Sequence, residues 1–276
     1  MSDTFFGGLS TRPARVTLVV MRRPVRLRPS RSTALLLLAA ALLRLGPAAA
    51  APGSDYASCV SRTQRAPEEA LTEAQAWRDQ GGGLAARHCL ALALVALRRY
   101  SDAAKELEAL AGDVADKNEA TRIGVLGQAG NAWLLAGRPE RARPLFAAAI
   151  ALSPDDPDLR IDRARAAGSL GDFDAALSDL DYAFAVDPER DDALALRASA
   201  RRRLGDRERA LEDAEMALII NPNNTGALLE RGILRFLAGD TDGARADWRR
   251  LIEAAPGTPA ADAARANLKK LDRGRE

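Results

Sequence analysis

The chain has 276 residues, 47% hydrophobic and 28% charged, with 40 basic and 38 acidic side chains and a formal charge of +2. That slight basic excess is uneven: residues 1–50 hold eight arginines and one acid, Asp3, leaving 32 basic and 37 acidic residues in 51–276. Past the first fifty residues the chain is therefore mildly acidic, which excludes the electrostatic footprint of a nucleic-acid-binding protein.

Thr33 to Leu43 form a run of eleven apolar or small residues, ended by Arg44-Leu45-Gly46-Pro47 and followed by Ala48 to Ala51. A basic stretch, a short apolar core and a small-residue A-x-A site read as a secretory signal peptide, with cleavage expected after Ala50. The core is too short to span a membrane, which takes about 20 apolar residues. Met21 opens a more compact version of the same signal and is a second candidate start. The expectation is an exported protein, periplasmic or in the cell envelope, with no integral membrane segment after cleavage. The alternative is a cytosolic chain with a basic tail.

Residues 51–83 read as an N-terminal helical cap. Asp55 to Arg65 is predicted helical, with Tyr56, Cys59 and Val60 on one side, and a second helix is predicted over Pro67 to Asp79. Gly81-Gly82-Gly83 then gives a flexible turn that lets the next helix fold back. Cys59 and Cys89 are the only cysteines, and an even count in an exported chain points to a disulfide between them. Two separately buried thiols are the alternative. His88 is the sole histidine. Adjacent residues on a helix point about 100° apart, so His88 and Cys89 do not form a metal pair or a nucleophile–base pair, and no fourth ligand stands at a zinc spacing. Gly81 to Gly83 also lack the lysine and threonine of a phosphate-binding loop. No cofactor is expected.

Beyond residue 122 one unit recurs every 34 residues. Pro154, Pro188, Pro222 and Pro256 keep that period, as do Gly137, Gly171, Gly205 and Gly239, each followed five residues later by Ala142, Ala176, Ala210 or Ala244. In the unit 191–224, Leu194, Ala198 and Leu204 mark a first helix broken at Gly205. Asp206 can cap a second, whose buried side carries Ala210, Leu211, Ala214, Ala217 and Leu218. Asn221-Pro222-Asn223-Asn224 ends it. A single 34-residue hairpin cannot bury its apolar faces alone, so the units must stack.

This pattern resembles the tetratricopeptide repeat (TPR) family. Three copies match closely, at 157–190, 191–224 and 225–258, and a fourth at 123–156 keeps Gly130, Trp133, Gly137, Ala142, Phe146, Ala149 and Pro154. Residues 84–122 read as a degenerate copy plus a longer loop, with Tyr100, Ala103 and Leu107 in phase but Arg98 in place of the turn glycine. Residues 259–276 stop after one further helix, as a capping helix and tail would. The resemblance implies an all-α, right-handed superhelix of antiparallel helix hairpins, a TPR solenoid. It also implies that Trp133, Phe146, Phe173, Phe184 and Trp248 fill the hairpin interior.

In this family, partners bind in the concave groove formed by the first helix of each hairpin. The groove phases here include Gly127, Asn131, Ile161, Arg165, Ala195, Ser199, Arg202, Leu229, Ile233 and Phe236. Asn131, Arg165, Ser199, Arg202, Ile233 and Phe236 are the candidate partner-binding residues. Phe236 is either an exposed anchor for a peptide or a packing contact with the capping helix or a neighbouring hairpin. The family's clamp for a C-terminal carboxylate needs a lysine four residues before Asn131, where Gly127 stands, so that clamp is not supported. The groove is polar in its middle and apolar towards the C-terminus, which suits an extended or helical peptide.

Two further phases carry charge. Arg163, Arg197 and Arg231 recur on the first helix, and Asp179, Asp213 and Asp247 follow 16 residues later on the second. The unit at 123–156 lacks both, with Ala129 and Leu145 in their places. Pairing within a hairpin, pairing to the next hairpin's arginine, which would bring Arg265 to Asp247, and six solvated charges worth little to stability are all open. The expected function is a non-catalytic protein-interaction module. A permanent accessory subunit of an envelope assembly is the runner-up, and no residue constellation supports an enzyme.

Overall fold

A computed structural model describes residues 56–114 and 118–273, so the signal-like segment and the proposed cleavage site after Ala50 lie outside the described residues. Thirteen helices and no strands occur among the described residues. The first two are α1 (Tyr56–Arg65) and α2 (Pro67–Asp79), both where the sequence predicts them. Five hairpins follow: α3 (Gly83–Ala96) with α4 (Tyr100–Asp113), α5 (Glu119–Leu135) with α6 (Pro139–Leu152), and α7 (Pro157–Ser169) with α8 (Phe173–Val186). The last two are α9 (Asp191–Leu204) with α10 (Arg207–Ile220) and α11 (Thr225–Leu237) with α12 (Thr241–Ala254), and α13 (Pro259–Arg273) closes the array. Each helix packs mainly on the next, and α5, α7, α9, α11 and α13 also meet one another in order. That is the solenoid the 34-residue period demands.

The local chemistry explains the boundaries. Gly137, Gly171, Gly205 and Gly239 all take positive φ between the two helices of their hairpins, a left-handed turn that a β-carbon disfavours. In the degenerate unit Arg98 adopts the same conformation at φ 58°, so the turn survives the loss of its glycine under some backbone strain. Aspartates or asparagine at 156, 172, 206, 224 and 240 accept hydrogen bonds from amides of the first turn that follows. These caps satisfy donors that a helix start leaves without partners.

Small residues let the paired helices approach. The alanines at 142, 176, 210 and 244 are fully buried, and Phe146 and Trp248 fill the space beside them. Gly130 and Gly232 face these rings so closely that a β-carbon would lie 2.6 Å from Phe146 and 2.4 Å from Trp248. Gly232→Ala should therefore overpack the last hairpin. Part of the loss is offset by alanine's helix preference, leaving a net destabilisation of roughly 1–2 kcal/mol, measurable by urea unfolding. Trp133 is buried as expected, whereas Phe173 and Phe184 are only half-buried. Arg203 and Arg197 lie over their rings, 4.7 and 4.0 Å from the centroids, so these aromatics serve as platforms for cations.

The arginine–aspartate phases pair within each hairpin. Arg163, Arg197 and Arg231 each grip their own Asp179, Asp213 or Asp247 through two hydrogen bonds of 2.6–2.9 Å. All three carboxylates are buried. Arg265 instead pairs with Asp262 on its own helix at 2.6 Å, so the capping helix does not serve Asp247. Cys59 and Cys89 are joined in a disulfide that ties α1 to α3, with both residues buried.

Candidate functional site

The first helices of successive hairpins share one face, and their polar side chains link helix to helix along it. At its N-terminal end, His88 on α3 lies between Tyr56 and Gln128, with the phenolic oxygen 2.6 Å from Nδ1 and the Gln128 Oε1 2.6 Å from Nε2. The Tyr56 and His88 rings stack at 5.8 Å. His88 thus connects α1, α3 and α5, a structural role that its isolation in the sequence did not reveal.

Further along, Asn131 Nδ2 on α5 donates to Asp162 on α7 at 2.8 Å, and Arg165 donates to the other Asp162 oxygen at 2.6 Å. Arg165 also lies 3.5 Å from Asp192 on α9, which Arg190 grips from the connecting turn. Arg190 reaches back to Asp158 at 2.7 Å. On the next pair of helices Arg202 of α9 meets Glu230 of α11 at 2.5 Å, with Glu230 fully buried. Arg165, Arg190 and Arg202 are therefore each answered by a carboxylate. Burial pushes the Asp162 carboxyl above its ordinary range despite Arg165 and Asn131. Asp192 also suffers burial, but the Arg190 contact outweighs it and holds that carboxyl below its usual range.

These contacts place the six candidate residues in two groups. Asn131, Arg165, Arg202 and Phe236 are half-buried and keep surface on the shared face. Ser199 and Ile233 are only 2% and 1% exposed, because α9 and α11 pack directly on each other there. In this conformation those two belong to the packed floor and present no surface to a partner. Phe236 leans on Trp248 of α12, with ring centroids 6.1 Å apart, so packing holds its ring while one side remains open. Gln128, Asp158, Asp162, Asp192 and Glu230 complete the face. Their recurrence one helical turn from the groove phases was the available signal.

TPR family models match residues 134–201 and 196–269, and another matches residues 90–157. Together they cover about two thirds of the chain, from the second half of α3 into α13. The protein belongs to the tetratricopeptide repeat family. Among solved structures, a thermophilic TPR protein from Thermus thermophilus is similar at 20% identity and a TM-score of 0.54, over 67% of this chain and 96% of that one. YrrB, described as a TPR protein with an unusual peptide-binding site, is similar at 21% identity and a TM-score of 0.51, covering 63% and 91%. MamA from Desulfovibrio magneticus RS-1 is similar at 18% and 0.51, covering 66% and 94%. At these identities the likeness establishes the fold. No curated protein matches the sequence significantly.

Proposed function

We propose that this TPR protein is an exported, non-catalytic scaffold that docks a segment of a partner protein on the face formed by α3, α5, α7, α9 and α11. The observation that carries this reading is the face itself. Half-buried polar groups from consecutive hairpins are locked in register by helix-to-helix hydrogen bonds, and the half-buried Phe236 ends the row on its apolar side. Such a surface is already ordered before a ligand arrives, so little entropy is lost there on binding. Its arginines are neutralised from within, which favours a segment recognised by shape, backbone hydrogen bonds and an aromatic contact over a strongly acidic one.

A peptide-binding site in YrrB, a protein of the same fold, accords with this use of the face. The polar middle favours a reversible partner over a permanent subunit, which would bury a continuous apolar strip. Export rests on the arginine-rich, apolar and A-x-A succession of residues 1–51, and a Cys59–Cys89 bridge suits an oxidising compartment. Among the described residues no helix is long and apolar enough to cross a membrane.

Two measurements on protein from the native cell test the proposal. N-terminal sequencing should find Ala51 at the terminus, in the envelope or periplasmic fraction; an intact Met1 or Met21 in the cytoplasm would refute export. Affinity capture from the same fraction should recover a partner that is lost in a folded Asn131→Ala/Phe236→Ala variant. Undiminished recovery with that variant would place binding elsewhere.

A further inference from the structure

The three arginine–aspartate hairpins are not equivalent. Asp213 Oδ2 accepts from Arg197 Nε at 2.9 Å and again from Arg201 Nη1 at 2.8 Å. Asp247 Oδ2 accepts in the same way from Arg231 Nε and Arg235 Nη1, both at 2.9 Å. Asp179 Oδ2 accepts from Arg163 Nε at 2.7 Å, but has no second hydrogen bond among the described residues. The residue in phase with Arg201 and Arg235 is Ala167. A carboxylate oxygen that holds two guanidinium groups in two hairpins holds one in the third.

The shorter side chain leaves space. A cavity of about 530 Å³ opens between α6, α7 and α8, walled by Ala167, Ala147, Ala175, Ser178, Arg163 and Asp179, with Arg143 and Pro144 at the α6 side. Its position matches that of the Arg201 head group, which sits between α8, α9 and α10 and touches Asp213 and, at 3.5 Å, Asp181. Ala147 stands one repeat before Asp181, so the cavity lacks both the arginine and its outer carboxylate. Arg163 is correspondingly the most exposed of the three paired arginines.

The charges already present do not fill that space. Arg143 is answered by Asp172 at 2.9 Å, and Arg163 by Asp179. Arg160 approaches Asp179 at 3.5 Å, but on Oδ1, while its guanidinium lies 3.7 Å over the Tyr182 ring and bonds the Pro154 carbonyl. Asp179, whose Oδ2 corresponds to the oxygen that Arg201 and Arg235 reach in the other hairpins, and Ser178, whose hydroxyl has no hydrogen bond among the described residues, carry the acceptors among the cavity's lining residues.

We propose that this cavity is a guanidinium-binding site that takes an arginine side chain from a partner, seated against Asp179 as Arg201 and Arg235 are seated against Asp213 and Asp247. A planar fork of N–H donors fits a carboxylate oxygen and a hydroxyl better than an ammonium does. The alanine walls match the apolar faces and stem of an arginine. Arg163 and Ala167 point away from the α7 face that carries Ile161 and Arg165, because their positions are about half a helical turn apart. The site is thus separate from the shared first-helix face and stands independently of it.

The test titrates N-propylguanidinium, at concentrations below those that denature, into the intact protein and follows backbone amide shifts. Saturable shifts should centre on Ala147, Ala167 and Ala175. Ala167→Arg, which installs the side chain the other hairpins carry, should weaken this binding at least about tenfold, or roughly 1.4 kcal/mol. The blocked peptide acetyl-Gly-Arg-Gly-amide should bind at the same site. Binding of propylguanidinium without the peptide would overturn the partner-arginine assignment and leave a small-molecule guanidinium site. No saturable shifts, shifts centred elsewhere, unchanged binding in Ala167→Arg, or inorganic phosphate binding there instead would each overturn the proposal. Should Ala167→Arg fail to fold, the location of the wild-type shifts still decides.

Discussion

Asp213→Leu should destabilise the protein by about 3–5 kcal/mol, one of the largest losses available to a single substitution here. Asp213 and Arg197 are 3% and 7% exposed, so removing the carboxylate leaves a buried guanidinium with only the half-exposed Asp181, at 3.1 Å, and deprives Arg201 of its shorter contact. Replacing both partners, as Arg197→Met with Asp213→Leu, removes the stranded charge and should cost far less than the two single losses combined. A coupling of about 2–3 kcal/mol is expected from the double-mutant cycle in denaturant unfolding. The parallel cycle on Asp213 and Arg231 should give none, because Arg231 is committed to Asp247. Equal coupling in the two cycles would mean that the aspartates bridge hairpins instead of locking each one.

Loss of the disulfide should come next in size, and its effect should be local. The bridge closes a loop from Cys59 to Cys89, for which the chain-entropy account gives about 3–4 kcal/mol. Replacing both cysteines with serine should release α1 and, with it, the Tyr56–His88 contact. Hydrogen exchange should then speed up across α1 to α3 while amides of α7 to α12 keep their protection, since each repeat is stabilised chiefly by its neighbours. Uniform loss of protection along the array would contradict this local picture. Two thiols per chain in unreduced, denatured native protein would show that the bridge is not made in the cell.

What the sequence made legible was whatever repeats. The hairpins, their turns and the Arg163/Arg197/Arg231 and Asp179/Asp213/Asp247 phases all follow from one period, because a residue copied three times leaves three in-phase signals, but which arginine meets which aspartate had to come from the geometry. Features that occur once were harder to read. Tyr56, His88 and Gln128 meet across gaps of 32 and 40 residues, and no spacing rule connects them. The groove phases could be marked on a helical wheel, but the wheel does not say how tightly two first helices pack. Ser199 and Ile233 are accordingly buried between α9 and α11, while Asn131 and Arg165 keep surface. Phe236 was expected either to be exposed or to pack on the capping helix or a neighbouring hairpin, whereas its ring leans on Trp248 of its own hairpin and keeps its outer side open. Ala167 shows the same limit from the other direction. It breaks a phase carried by Arg201 and Arg235, yet only the geometry around Asp179 shows that the break leaves a cavity.

The choice of binding face is tested most directly by site-specific photocrosslinking in the native cell. A photoreactive side chain is placed in turn at Asn131, at Phe236 and at Ile219, which is 81% exposed on the second helix of its hairpin. The account predicts a discrete adduct of the same partner from positions 131 and 236 and none from 219. An adduct from position 219 alone would show that the partner docks on the second helices, and the first-helix face would not be the binding surface.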